Sequence, residues 1–153
     1  MEAKKIKIEK QVDVLQVYSS VVDEYWALVD FMLREGLKYD GDPMTIDDLK
    51  NLIKENQLKL FMMFGSDDGE QYKVFGVCVT RITALPNFNQ CEVILLKGEK
   101  RNLWQDQLAD TIEIVAKENN CKRIAVHARP GWQPFLKTKG WGVKRYLYTK
   151  EIK

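Results

Sequence analysis

The tightest limit on the fold comes from the segment Cys91–Leu96, where Val93, Ile94, Leu95 and Leu96 follow one another with no polar residue between them. A short run apolar on both faces reads as a strand buried on both sides, which places it centrally in a sheet and demands cover above and below. Two strand-like segments precede it. Leu58–Phe64 is almost continuously apolar, and Tyr72–Ile82 is rich in Val and aromatics. Ser66-Asp67-Asp68-Gly69-Glu70 and Leu85-Pro86-Asn87-Phe88-Asn89 are the turns between them, so these strands are expected to be antiparallel. After the central strand, Trp104, Leu108, Ile112 and Val115 recur at helical spacing, and Asn119-Asn120 end that helix. Arg123–His127 then reads as a strand. A strand–helix–strand step of this kind predicts a right-handed parallel crossover.

The flanking regions supply the remaining elements. Lys5, Ile6, Lys7 and Ile8 alternate and predict a half-buried strand over Lys4–Glu9. Val14, Tyr18, Val21, Tyr25, Leu28 and Met32 predict one face of a helix over residues 12–35, with Gly36 as its left-handed cap. Thr45 opens a second helix, Asp47 and Asp48 standing in its first turn where the dipole favours negative charge. Asn102 is positioned to cap the helix that carries Trp104. Pro130 suits the first turn of a short helix and Gly140 its end. Val143–Ile152 alternates and predicts a last strand. The expectation is one α/β (α+β) domain over residues 1–153, with a mixed, mostly antiparallel sheet and helices on both faces.

Charge and cysteine usage narrow the chemistry. Lys plus Arg total 24 and Asp plus Glu 22, a formal balance of +2 that gives no general attraction to nucleic acid or to an anionic membrane. No apolar run approaches the roughly 20 residues of a membrane span, and the N-terminus lacks a signal-peptide pattern, so a cytoplasmic protein is expected. Cys78, Cys91 and Cys121 are far apart and sit in apolar segments, as buried free thiols do in a reducing compartment. His127 is the only histidine, which leaves no histidine-rich zinc site, and no metal site is expected. There is no GxSxG elbow, no GxGxxG and no GxxxxGK[S/T] loop.

Several segments together carry a resemblance. Val93-Ile94-Leu95-Leu96-Lys97-Gly98, the Trp104 helix, Ala116-Lys117-Glu118-Asn119-Asn120-Cys121, and Arg129-Pro130-Gly131-Trp132 followed by Lys139-Gly140-Trp141-Gly142 stand in the element order of an acyltransferase fold. The chain resembles the GNAT N-acetyltransferase superfamily over nearly its whole length, and in particular a branch often encoded by bacteriophages, with its Arg-Pro-Gly-Trp turn. The resemblance implies a central parallel pair of strands that splay apart and hold acyl-CoA, acetyl-CoA being the co-substrate, in the V between them. Pantetheine amides would pair with main-chain groups of Val93, Ile94, Leu95 and Leu96. The pyrophosphate would lie over Lys97, Gly98, Lys100, Arg101 and Asn102, near the start of the next helix, where unpaired amides suit anions. Arg129 would add a bidentate contact.

The implied chemistry is attack of an amine on a thioester. An ammonium of pKa about 10.4 must first lose a proton, at a cost of about 4.6 kcal/mol at pH 7. Glu92, at the start of the central strand, is the candidate base, with His127 as the alternative. The departing thiolate needs a proton, which the family often takes from a Tyr. The position four residues before Gly140-Trp141 is Leu136, beside Phe135, so Tyr146 or Tyr148 would have to serve. The phosphate loop also departs from the family pattern, having one glycine and an added acid, Glu99. These departures leave a second expectation open: a catalytically degenerate relative acting as a phage structural protein, virion-associated, or binding a host protein. Each residue also has an ordinary alternative. Glu92 can be a solvated strand-end carboxylate, His127 a hydrogen-bonded histidine, the loop cations a solvated surface, and Trp132 and Trp141 packing residues. The amine acceptor and the oligomeric state are not legible.

Overall fold

The computed structural model describes residues 7–40, 44–145, 148–150 and 152. Five strands form one sheet in sequential order. They are β1 (Val12–Val17), β2 (Leu58–Gly65), β3 (Lys73–Ala84), β4 (Asn89–Gly98) and β5 (Cys121–Val126). Neighbours are antiparallel except β4 and β5, which run parallel as the crossover requires. The helices are α1 (Val22–Asp40), α2 (Ile46–Lys54), α3 (Gln105–Glu118) and α4 (Gln133–Thr138). Single turns of 3₁₀ helix precede α1, α3 and α4.

The sheet separates two apolar layers. On one side Val22, Val29 and Leu33 of α1 and Leu49 and Ile53 of α2 meet Leu60, Val77, Val79 and Leu95. On the other, Trp104, Leu108, Ile112 and Val115 meet Phe61, Phe75, Cys91 and Val93. The central strand is thus covered on both faces, as its composition demands. A bulge at Ile94, which has no β3 partner while Val93 pairs with Thr80 and Leu95 with Val79, shifts the alternation of β4. Val93 therefore faces α3, and Ile94 and Leu95 both face α1 and α2.

Local chemistry explains several element ends. Thr45 caps α2 through a capping box: its hydroxyl accepts from the Asp48 amide at 3.0 Å, and the Asp48 carboxylate accepts from the Thr45 amide at 3.1 Å. Asn120 and Gly140 take the left-handed conformation at the ends of α3 and α4.

Five expectations are corrected. Residues 7–10 form no strand, and the first strand is β1, inside the segment read as helix. Steps of three and four among Val14, Tyr18 and Val21 imitate a helix, yet Val12, Val14 and Val17 satisfy their backbone by pairing with β2. The true helix starts at Val22 and buries Val22, Val29 and Leu33, leaving Tyr25 and Leu28 exposed. Gly36 is not a cap: it lies inside α1, and a Cβ there would come within 2.9 Å of the Leu95 side chain, so glycine serves close helix–sheet approach. Asn102 does not cap α3 but sits in the 3₁₀ turn Arg101–Leu103, and Trp104 occupies the capping position. The last strand is absent at residues 141–145 and 148–150, where Val143 and Tyr148 are exposed. Tyr146 lies outside the described residues.

Candidate functional site

The parallel pairing of β4 and β5 runs from Asn89 opposite Cys121 to Val93 opposite Val126, and there it stops. β4 continues to Gly98, held by β3 alone through Leu95, Leu96, Lys97 and Gly98. The stretch Ile94–Gly98 thus has no β5 ladder partner on its other edge. The bulge at Ile94 coincides with this fork. A cavity of about 50 Å³ opens there, walled by Val93, Leu96, Leu108, Ile112, Val126 and Leu136 among others.

The mouth of the fork is clasped. Trp104 is buried on Gly98, where a Cβ would come within 2.8 Å of its ring, and its indole N–H donates to the Glu99 carbonyl at 2.9 Å. The Trp132 ring lies against Trp104 at 6.2 Å and against Phe135 at 6.1 Å. Arg101 reaches across from the other bank. Its guanidinium stands 4.5 Å from the Trp132 ring centre and donates to the Gly131 carbonyl at 3.0 Å. Lys139 and Asp106 join the end of α4 to the start of α3 at 2.9 Å.

The loop cations have protein partners. Lys100, in a left-handed conformation, donates to Asp67; that hydrogen bond raises the ammonium pKa and lowers the carboxyl pKa. The Lys97 ammonium stands 3.9 Å from Glu35 on α1. Glu99, the acid expected to repel a phosphate, is matched by Lys73 at 3.1 Å. Asn102 and Arg129 are exposed, Arg129 extended just before Pro130. Gly98 ends β4 rather than standing in the loop.

Glu92 is neither free nor simply solvated. Arg81, its antiparallel partner, donates to it at 2.6 Å, and Gln90 donates at 2.9 Å. Burial alone would push the carboxyl pKa up; these hydrogen bonds outweigh it and hold the group below the ordinary range. Arg123 extends the cluster, donating to Gln90 at 2.5 Å while stacking over Phe88. His127 is exposed just past the end of β5. Sequence reasoning missed Arg81, Gln90 and Arg123. Gln90 stands two residues before Glu92 on β4, whereas strand register brings Arg81 to Glu92 and Arg123 to Gln90; the hairpin between Ile82 and Cys91 is the signal that could have found Arg81.

Cys78 and Cys91 are buried and Cys121 half-buried, all as free thiols. Among the described residues no group of acidic, histidine or cysteine side chains is placed to hold a metal ion. Among them, too, no helix is long and apolar enough to cross a membrane.

No protein-family model and no curated protein matches the sequence. Solved structures do match in shape. A predicted acetyltransferase from Clostridium acetobutylicum, solved with acetyl-CoA, superposes with a TM-score of 0.65 at 13% identity, covering 92% of this chain and 96% of its own. A GNAT family acetyltransferase from Staphylococcus aureus gives 0.58 at 16% identity, with 93% and 99% covered. The fold is that of the GNAT acetyltransferases. An aminoglycoside acetyltransferase from an uncultured soil metagenomic sample, in complex with sisomicin, gives 0.59 at 10% identity, with 92% and 97% covered. The GNAT fold thus spans nearly all of the chain, at identities that carry its shape alone.

Proposed function

We propose that the chain is an acyl-CoA-dependent N-acyltransferase, with acetyl-CoA as donor and an amine as acceptor. The observation that carries this reading is the fork: β4 outruns β5 beyond Val93, so its outer edge has no β5 partner beside a cavity lined by Val93 and Leu96, and in this reading a pantetheine arm pairs with that edge. The Clostridium acetobutylicum neighbour, solved with acetyl-CoA, supports the same ligand.

In this reading Val93, Ile94, Leu95 and Leu96 hold the arm. Lys97, Gly98, Lys100, Arg101, Asn102 and Arg129 face the pyrophosphate, and Lys100 and Arg101 exchange Asp67 and the Gly131 carbonyl for phosphate oxygens. Glu92, kept ionised, accepts the amine proton through water, with His127 as the alternative. The amine nitrogen bonds to the thioester carbon, the carbon–sulfur bond breaks, and the thiolate takes a proton from Tyr146. Release of free CoA thiol, followed with acetyl-CoA and a panel of aliphatic and aromatic amines, tests the reading. Turnover that Glu92→Gln lowers by about 10²- to 10⁴-fold is expected. No release above background with any amine contradicts it.

One observation favours a second reading. Leu136 and Phe135 occupy the short helix where a hydroxyl is needed, and Arg101 is already spent on Gly131. A chain that keeps the fold without the chemistry would instead bind a phage or host protein, recovered as a stable complex with no acyl transfer.

A further inference from the structure

Below the fork, where β4 and β5 are still paired, the sheet face away from α3 carries a chain of polar contacts. Cys91, Val93, Ile124 and Val126 pack on the α3 side, so Gln90, Glu92, Arg123 and Ala125 project to the other. The Arg81 guanidinium donates to one oxygen of Glu92 at 2.6 Å, and the Gln90 amide donates to the other at 2.9 Å. The Gln90 side-chain carbonyl in turn accepts from Arg123 Nε at 2.5 Å. Gln90 is buried with both ends of its amide engaged, so it fixes Arg123 relative to Glu92. The Phe88 ring, 4.8 Å from the guanidinium carbon, supports Arg123 on one face.

Arg123 is thus restrained but incompletely used. Its side chain bonds through Nε, and among the described residues no carboxylate forms an ion pair with it. The cluster sets two guanidiniums, Arg81 and Arg123, against the one carboxylate of Glu92. The residue opposite Glu92 on β5 is Ala125, whose methyl group takes up little of the space beside the carboxylate. An arginine held at Nε and on one face offers its two terminal nitrogens as a preformed fork for a second carboxylate. We propose that Arg123 is a specificity-determining residue that binds the carboxylate of the acceptor, which is then a small amino acid with its amine at Glu92. This rests on the transferase reading and names the class of amine that the reading leaves open. The amine nitrogen gains the acetyl group and gives up a proton toward Glu92, CoA leaves as its thiol, and the acceptor's carboxylate is unchanged.

Matched acceptors test it. Glycine, β-alanine and γ-aminobutyrate are each compared with the corresponding carboxamide, which keeps the size and loses the charge, in acetyl transfer from acetyl-CoA. At least one acid should exceed its carboxamide about ten- to a hundredfold in kcat/KM, the difference lying in KM. Arg123→Gln should bring that ratio to about one, and Arg123→Lys, which keeps the charge without the fork, should restore part of it. The ratio, unlike the absolute rate, is not moved by a partly unfolded sample. Binding is read separately, from shifts of the Gln90 and Arg123 backbone amides when the same acids and carboxamides are added to the ¹⁵N-labelled chain. No acid preferred over its carboxamide, in turnover or in binding, overturns the proposal, as does a preference that survives in Arg123→Gln. Acid-selective binding at Gln90 and Arg123 without acetyl transfer defeats the transferase reading alone; acetyl transfer with no preference for the acid defeats the role of Arg123 alone.

Discussion

Replacing Trp132 by alanine should unfasten α4 from α3 while leaving the sheet intact. The ring makes two aromatic contacts, at 6.2 Å with Trp104 and at 6.1 Å with Phe135, and carries the Arg101 guanidinium 4.5 Å from its centre. Aromatic pairs contribute about 0.5–1.5 kcal/mol each and an exposed cation–π contact about 0.5–1 kcal/mol. The clasp therefore holds α4 with about 1.5–4 kcal/mol. The Lys139–Asp106 pair remains in the variant, but its exposed side chains make it a weak substitute. At about 1.4 kcal/mol per tenfold change in an equilibrium, local opening over Pro130–Thr138 should become about ten to several hundred times more frequent. Amide hydrogen exchange read by mass spectrometry gives this directly, with peptides from β2 and β3 as internal controls. Unchanged exchange over Pro130–Thr138 would refute the clasp. A rise of equal size in every peptide would refute its local character.

Other outcomes follow from the same structure. Glu92 has a carboxyl pKa below its ordinary range, so its contribution to stability is present above the unfolded value of about 4.3 and lost as pH falls through the lowered folded value. Urea unfolding followed from pH 7 to pH 3 should show a shallower acid loss in Glu92→Gln; an identical pH profile would contradict the Arg81 pairing. Gly98→Ala places a Cβ 2.8 Å from the Phe75 carbonyl oxygen and 2.8 Å from the Trp104 ring. It should destabilise by about 1–3 kcal/mol in denaturant titration, since backbone and a buried ring cannot both yield. Burial raises all three thiols, Cys91 up to about 11. With a disulfide reagent at pH 8 the half-buried Cys121 should react first, and Cys78 and Cys91 only on unfolding.

The central part of the fold was legible because its signals are local and mutually consistent. Leu58–Phe64, Tyr72–Ile82 and Cys91–Leu96 are apolar or Val- and aromatic-rich runs bounded by turn residues, the first and last too short for buried helices, and the turns between them are too short for anything but antiparallel pairing. Thr45 with Asp48 is a two-residue signature of a helix start. The N-terminal error has a physical source: Val14, Tyr18 and Val21 fit a helical stripe, and nothing local reveals that β2 offers Val12–Val17 a pairing edge. Gly36 misled because a glycine that ends a helix and a glycine that lets a helix touch Leu95 look alike in sequence. Of the site, the fork could be anticipated only through resemblance. The Arg81 partner of Glu92 depends on strand register.

The account stands on the open edge of β4 beyond Val93. Titration of the ¹⁵N-labelled chain with CoA, monitored at the backbone amides, addresses it most directly. Saturable shifts concentrated at Val93–Gly98, with weaker ones at the start of α3, are predicted. No shifts at millimolar CoA, or shifts confined to other strands, would contradict the account.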